Sequence, residues 1–300
     1  MTDFLQYLVN GLTIGTFLAL IALGYSMVYG VLRLINFAHG DVFMVGSFAG
    51  LAVLTGASSS APATTALLIA GAVLAGSLVS GVLGVGIMRI AYAPLLRAPK
   101  ISLLIGAIGV SFALEEAVKL LTHAGFRSYP HVLPQTMLLS GPVRISYSQV
   151  VLVLLALGLM FGLWAFITRT VRGTAMRALA MDSDAARLMG IDVERVVLTT
   201  FFIGSVLAGT AGVMYGLYYT QINFAVGFLV GLRAFTAAVL GGIGNMVGAA
   251  VAGILIGLVQ SFAAGYVSSR WADVIIFGVL IGALVLRPHG LFGERVAERV

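Results

Sequence analysis

RTVRGTAMRALAMDSDAARLMGIDVER, residues Arg169 to Arg195, is the one long charged segment in a chain that is 60% hydrophobic and 9% charged. It carries five of the 17 Lys/Arg (Arg169, Arg172, Arg177, Arg187 and Arg195) together with Asp182, Asp184, Asp192 and Glu194. An apolar run of about twenty residues flanks it on each side, so it reads as a loop between two membrane spans. Its own pattern is helical. Ala178, Leu179, Met181, Ala185, Leu188 and Met189 recur at three- and four-residue intervals, and Asp182 or Ser183 is placed to cap a second helical piece. Gly190 then ends that piece, with Ile191 as its hydrophobic stop. A short amphipathic helix on the inner face of a membrane protein either lies on lipid or docks into a partner's groove.

The rest of the composition agrees. The chain has 300 residues, 38 Gly, 11 Met and no Cys, with a mean hydropathy of +1.08. A soluble domain cannot hide that much apolar surface, so the expectation is an all-α polytopic membrane protein forming one domain over residues 1–300. The apolar runs are continuous rather than alternating, which excludes an outer-membrane barrel. The absence of Cys leaves no disulfide framework and no thiolate metal site. Abundant Gly suits closely packed spans. The net charge of +6 sits in short loops, where it records orientation rather than nucleic-acid binding. The N-terminus lacks a basic region and the apolar stretch after it is too long for a cleaved signal, so the first span is expected to stay.

Eight to nine spans are expected, at roughly 4–30, 39–56, 65–90, 101–122, 148–168, 197–220, 225–242, 246–267 and 272–287. Twelve Lys/Arg then fall on one side, namely Arg33, Arg89, Arg97, Lys100, the five of the central loop, Arg287, Arg295 and Arg299. Four fall on the other: Lys119, Arg127, Arg144 and Arg270. The richer side is cytoplasmic, which puts the N-terminus outside and the C-terminus inside. Arg233 is the only cation inside an apolar run. It must pair, snorkel or face water, with a substrate carboxylate, Asp41 or a backbone carbonyl as its partner.

Two segments interrupt the spans. Asn36-Phe37-Ala38-His39-Gly40-Asp41 puts Asn, His, Gly and Asp where a span should already be running. It reads either as an interfacial turn, capped by Asn36 or Asp41, or as a discontinuous helix whose N-terminus offers N–H groups to an anion. Gly241-Gly242-Ile243-Gly244-Asn245 breaks a later span at a corresponding place. Paired interruptions of this kind point to a midplane site between repeats. Elsewhere, Gly76/Ser80/Gly84 and Gly204/Gly209/Gly212/Gly216 form packing faces. Glu115 and Lys119 stand at i,i+4 and are able to pair at an outer interface. The outer loop 123–147 is the longest on its side, and its two histidines, His123 and His131, are too isolated for a metal site.

These motifs resemble a known family. INFAHGDVFMVGSF, Ile35–Phe48, is similar to a motif of branched-chain amino acid ABC transporter permeases, the first of that system's two homologous membrane subunits, with Asp41 where relatives often have Glu. Asp184-Ala185-Ala186-Arg187-Leu188-Met189-Gly190 resembles the coupling loop of ABC importers, again with Asp for Glu, and the end RPHGLFG is similar too. The resemblance implies a coupling loop at 169–196 that docks on an ATPase through Asp184, Ala185, Ala186, Arg187, Leu188 and Gly190. It also implies a heterodimer with a second permease, two ATPase subunits, and an extracytoplasmic substrate-binding protein, all at the bacterial inner membrane.

The chemistry that is missing fits that picture. No GxxxxGK[ST] loop, HExxH, CxxC or GxSxG stands out, so neither ATP binding nor catalysis is expected of this chain, and it needs no cofactor of its own. The expected substrate path comprises Asn36, His39, Gly40, Asp41, Arg233, Gly241, Gly242, Gly244 and Asn245. A urea or amide permease of the same build, or a stand-alone small-solute channel, are the alternatives.

Overall fold

A computed structural model describes residues 2–56, 62–96, 98–134, 136–141 and 143–293. Arg97, Arg295 and Arg299, used above for orientation, lie outside the described residues. The chain forms eleven α-helices among the described residues: α1 (Thr2–Leu32), α2 (His39–Gly56), α3 (Pro62–Ile87), α4 (Lys100–Thr122), α5 (Tyr147–Arg169), α6 (Val171–Met181), α7 (Ser183–Leu188), α8 (Val193–Tyr219), α9 (Val226–Gly241), α10 (Met246–Tyr266) and α11 (Ala272–Leu286). Each of the nine stretches expected to span is helical. Among the described residues six helices are long and apolar enough to cross a membrane: α1, α3, α4, α5, α8 and α10. The other three, α2, α9 and α11, hold 18, 16 and 15 residues. A helix of 15 residues rises about 22 Å, short of a hydrocarbon core of about 30 Å. Two of the short helices, α2 and α9, border the interruptions.

The centre is α1. Every residue from Gly15 to Val28 is buried, which explains why this helix is apolar all round rather than striped. It crosses α10 where Gly15 faces the Ile254 backbone and Gly253 faces Ala19. A second seam joins α2, α3 and α8. Gly46, Gly76 and Gly209 meet there with no room for a Cβ, as the small-residue pattern implied. Lipid tails are as apolar as these side chains, so close backbone approach and hydrogen bonds hold the helices together. Ser77 and Thr210 share a 2.6 Å hydrogen bond across the seam, and Ser80 Oγ donates to the Val42 carbonyl at 3.0 Å.

The end opposite α6 and α7 is closed by short strands. β1 (Arg127–Ser128) pairs with β4 (Gln221–Ile222), and β2 (Met137–Ser140) with β3 (Arg144–Ser146). Between them Tyr129 is fully buried and its hydroxyl donates to the Ser47 carbonyl at 2.6 Å. Its ring fills the space left by Gly216 and Gly50. The loop 123–147 is thus anchored into the helical body by a side chain the sequence reading passed over. Ser146 then caps α5 reciprocally with Gln149.

One expected pair is corrected. Lys119 bonds Glu116, not Glu115, at 2.8 Å. Three residues along a helix are as close as four, and both side chains are exposed, as at an interface.

Candidate translocation and coupling sites

The first interruption begins at Arg33, which takes a left-handed conformation (φ 53°) and turns the chain back from the end of α1. The chain does not stay at that end. The ring of His39, first residue of α2, lies against Gly24. Gly24 precedes the end of α1 by eight residues, about 12 Å of helix rise. So α2 begins inside the protein. Its backbone is held from within. Asn36 Oδ1 accepts from Ala38 N–H at 3.1 Å and from the Tyr92 hydroxyl at 2.9 Å. Tyr92 is delivered by a π-helical turn, Met88–Tyr92, that underwinds the end of α3. Asp41 accepts a short hydrogen bond from Ser111 of α4.

This first site is packed shut. Asn36, His39 and Asp41 are buried. A Cβ on Gly40 would run into the Gly227 carbonyl and the Gly231 backbone of α9. The helix N-terminus therefore faces protein, which is one of the two surroundings irregular backbone tolerates at membrane depth; the anion-facing arrangement expected above is absent from this conformation. Among the described residues, His39 Nε2 and Asp41 Oδ1 have no hydrogen-bond partner.

The second interruption is built differently. Gly242 and Gly244 sit at φ 97° and 96°, conformations that only glycine adopts without strain. The carbonyls left over at the end of α9 accept from the C-terminal segment: Leu291 N–H bonds Leu240 O at 2.8 Å and Phe292 N–H bonds Gly241 O at 3.2 Å. Asn245 closes the staple. Its Oδ1 caps α10 at Gly248 N–H, and its Nδ2 donates to Phe292 O at 2.9 Å. Gly244 N–H donates to Ser26 Oγ of α1 at 3.1 Å. Gly244 and Asn245, with Tyr29, Arg33, Trp164 and Arg177, line a cavity of about 1170 Å³ at the α6–α7 end. The two interruptions thus have different partners: the first packs on Gly227 and Gly231, the second on α1's last turns and the C-terminal segment.

Arg233 is corrected as well. Its partner is Asp273 in the first turn of α11, through Nε–Oδ1 at 2.6 Å and Nη2–Oδ2 at 3.0 Å. Asp41 is not its partner, because Asp41 faces Ser111 of α4. The sequence signal was available, since Arg233 and Asp273 are opposite charges in neighbouring apolar runs.

The charged arm is the most exposed helical part of the chain. Thr170 caps α6 at Gly173 N–H, and Gly173 lies directly on the last carbonyls of α5. Asp182, rather than Ser183, caps α7, accepting from Asp184 and Ala185 N–H at 2.9 and 3.0 Å. Gly190, at φ 82°, ends α7. Ile191 N–H reaches Ala186 O and Gly190 N–H reaches Arg187 O, the paired bonds of a left-handed helix stop. The apolar residues divide between two faces. Met176, Leu179 and Ala186 are buried against the body, whereas Met181, Leu188 and Met189 are 83–88% exposed. Asp184, Ala185, Arg187 and Gly190 are exposed beside them.

Residues 7–284 match the family described as the permease component of the branched-chain amino acid transport system. The chain belongs to that family. Within these permeases it is 40% identical to the high-affinity branched-chain amino acid transport system permease protein BraD of Pseudomonas aeruginosa, over 99% of this chain and 98% of that one. It is 36% identical to the corresponding protein LivH of Salmonella typhimurium, with the same coverage. PsaBC from Streptococcus pneumoniae, solved in complex with Fab, has a likeness of fold, with a TM-score of 0.50 at 12% identity over 94% of this chain and 92% of that one. The family is one of multi-pass transport subunits rather than enzymes. Both interruptions, the Arg233–Asp273 pair and the arm fall within the matched residues; the Leu291–Phe292 staple lies beyond them.

Proposed function

We propose that this permease carries branched-chain amino acids inward across the bacterial cytoplasmic membrane, as one of two homologous permease subunits driven by a pair of ABC ATPases. An extracytoplasmic binding protein would deliver the substrate. The N-terminus lies outside and the α6–α7 end lies in the cytoplasm, following the excess of basic residues there. Relatives named for branched-chain amino acid transport support the substrate class. The observation that carries the coupling role is the arm, where Met181, Leu188 and Met189 stand bare among charges while the opposite face is fixed to the body. That is the form of a knob that fits a partner's groove.

ATP-driven closure of the ATPases would push the arm as a rigid unit, since the cap at Asp182 and the stop at Gly190 tie α7 into one piece. The push would reach α5 through Gly173 and α8 through its start at Val193. Asn36, His39, Gly40 and Asp41 would open from their packing on α9, and Gly241, Gly242, Gly244 and Asn245 would line the route beside the cavity.

The test is copurification and uptake with Leu188→Glu. Leu188 is outward and touches no core, so the variant is expected to insert and fold normally, to lose the copurifying ATPase, and to lose leucine uptake. An ATPase that still comes down with Leu188→Glu at wild-type yield would sink the docking role. Ala186→Glu is a poor probe of docking, because Ala186 is 4% exposed and faces the body; a carboxylate there unfolds α7.

A further inference from the structure

The Arg233–Asp273 pair is unusual in what it leaves unused. It joins α9 to α11 at a point where both side chains remain reachable, at 18% and 35% exposure. The two hydrogen bonds engage Nε and Nη2 of Arg233, which leaves the N–H groups of Nη1 without a bond among the described residues. On Asp273 each oxygen has accepted one bond and keeps a lone pair. Within an apolar span such a pair costs desolvation that an apolar contact would avoid. Its net charge is zero, but it is a fixed dipole, with one unsatisfied donor end and one unsatisfied acceptor end. Tyr215 and Tyr219 of α8 lie within electrostatic reach of the guanidinium, their rings 4.3 Å apart. Leu229, one helical turn before Arg233 and therefore on the same face, is half exposed.

We propose that Arg233 and Asp273 together bind the zwitterionic head of the transported amino acid, with its carboxylate on Arg233 Nη1, its ammonium on Asp273, and its aliphatic side chain on Leu229. This rests on the amino-acid reading above and deepens it. Four alternating charges cancel pairwise, so a zwitterion is desolvated against an antiparallel dipole at less cost than against one charge. A cation or an anion of the same shape satisfies one end and is repelled by the other. The pair need not break to admit substrate, so α9 and α11 stay joined while the site is filled.

The chain contains no cysteine, so Leu229→Cys offers a unique label. In the whole transporter reconstituted in proteoliposomes, saturating L-leucine is expected to slow maleimide labelling of that cysteine about tenfold. 4-Methylpentanoate, which lacks the ammonium, and 3-methylbutylamine, which lacks the carboxylate, are expected to protect weakly or not at all. Adding Asp273→Asn is expected to raise the protecting leucine concentration about tenfold or more. In the exchange Arg233→Asp/Asp273→Arg the ion pair is kept but its dipole is reversed. It should assemble and still take up leucine poorly. Three results overturn the proposal: a cysteine that does not label, equal protection by all three compounds, or full uptake in the exchange variant, which would make the pair a structural tie. ATP-driven leucine uptake by the unsubstituted transporter, measured in parallel vesicles, keeps the two readings apart. Uptake by it without protection of the cysteine removes only this site, whereas absent uptake by it removes the substrate class itself.

Discussion

The two interrupted helices do the same thing by different means. Around Asn36–Asp41 the loose backbone is held by the side chains of Tyr92, beyond α3, and Ser111 of α4, and by close contact with the glycine face of α9. Around Gly241–Asn245 it is held by another stretch of backbone, Leu291–Phe292, with one asparagine as the clasp. The difference matters for movement. A site held by side-chain hydrogen bonds and tight helix contact separates when one helix shifts. A site held by a backbone staple moves with what it is stapled to. Under the proposed function, the first interruption therefore suits the part of the path that opens, and the second the wall it opens against. The charges follow this division: the first has an unpaired carboxylate oxygen at Asp41, while the second faces a cavity whose cations are Arg33 and Arg177.

Substitutions break or sharpen the contrast. The largest effect is expected from Gly40→Val, because the added atoms meet α9 backbone that has no rotamer to yield. Overpacking of more than about 3 kcal/mol should abolish monodisperse protein in detergent; a wild-type elution profile and melting temperature would show that α2 and α9 already have slack. Ser111→Ala comes next. It removes the hydrogen bond to Asp41 and leaves a buried carboxylate unpartnered, at about 1–3 kcal/mol. Ser111→Thr should restore the melting temperature, and a failure to do so would mean that packing rather than the hydrogen bond joins α4 to α2. Asn245→Ala is expected to cost least, about 1 kcal/mol for a lost helix cap, since the Leu291 and Phe292 bonds remain. Asn245→Ser keeps a capping oxygen and loses only the bond to Phe292 O, so it should cost less still. Should Asn245→Ala prove as damaging as Gly40→Val, the staple depends on the side chain and the contrast fails.

Much of the architecture was legible along the chain. The arm was visible because charge amid apolar runs is a local property, and its caps at Asp182 and Gly190 follow from residue types a few positions apart. The packing faces of Gly76/Ser80/Gly84 and Gly209/Gly212 were visible for the same reason. Less legible was which way each apolar residue of the arm points. Ala186 and Leu188 share one short helix, yet one faces the body and the other solvent. That depends on where α5 and α8 lie beneath the arm, which no periodicity states. The pairing Glu116–Lys119 in place of Glu115–Lys119 shows the same limit on a smaller scale, since spacings of three and four are equally close on a helix.

By itself the sequence determined an all-α membrane chain, the two interruptions, the exposed arm and the permease family, because hydropathy, capping and motif are written within a few residues of one another. Only the tertiary structure decided the partners. Asp273 reaches Arg233 across 40 positions, Tyr92 reaches Asn36 across 56, and Tyr129 reaches Ser47 across 82. Such contacts join helices that pack without a hydrophobic drive toward each other, so their choice follows from backbone shape and hydrogen bonding in three dimensions, which spacing along a chain does not encode.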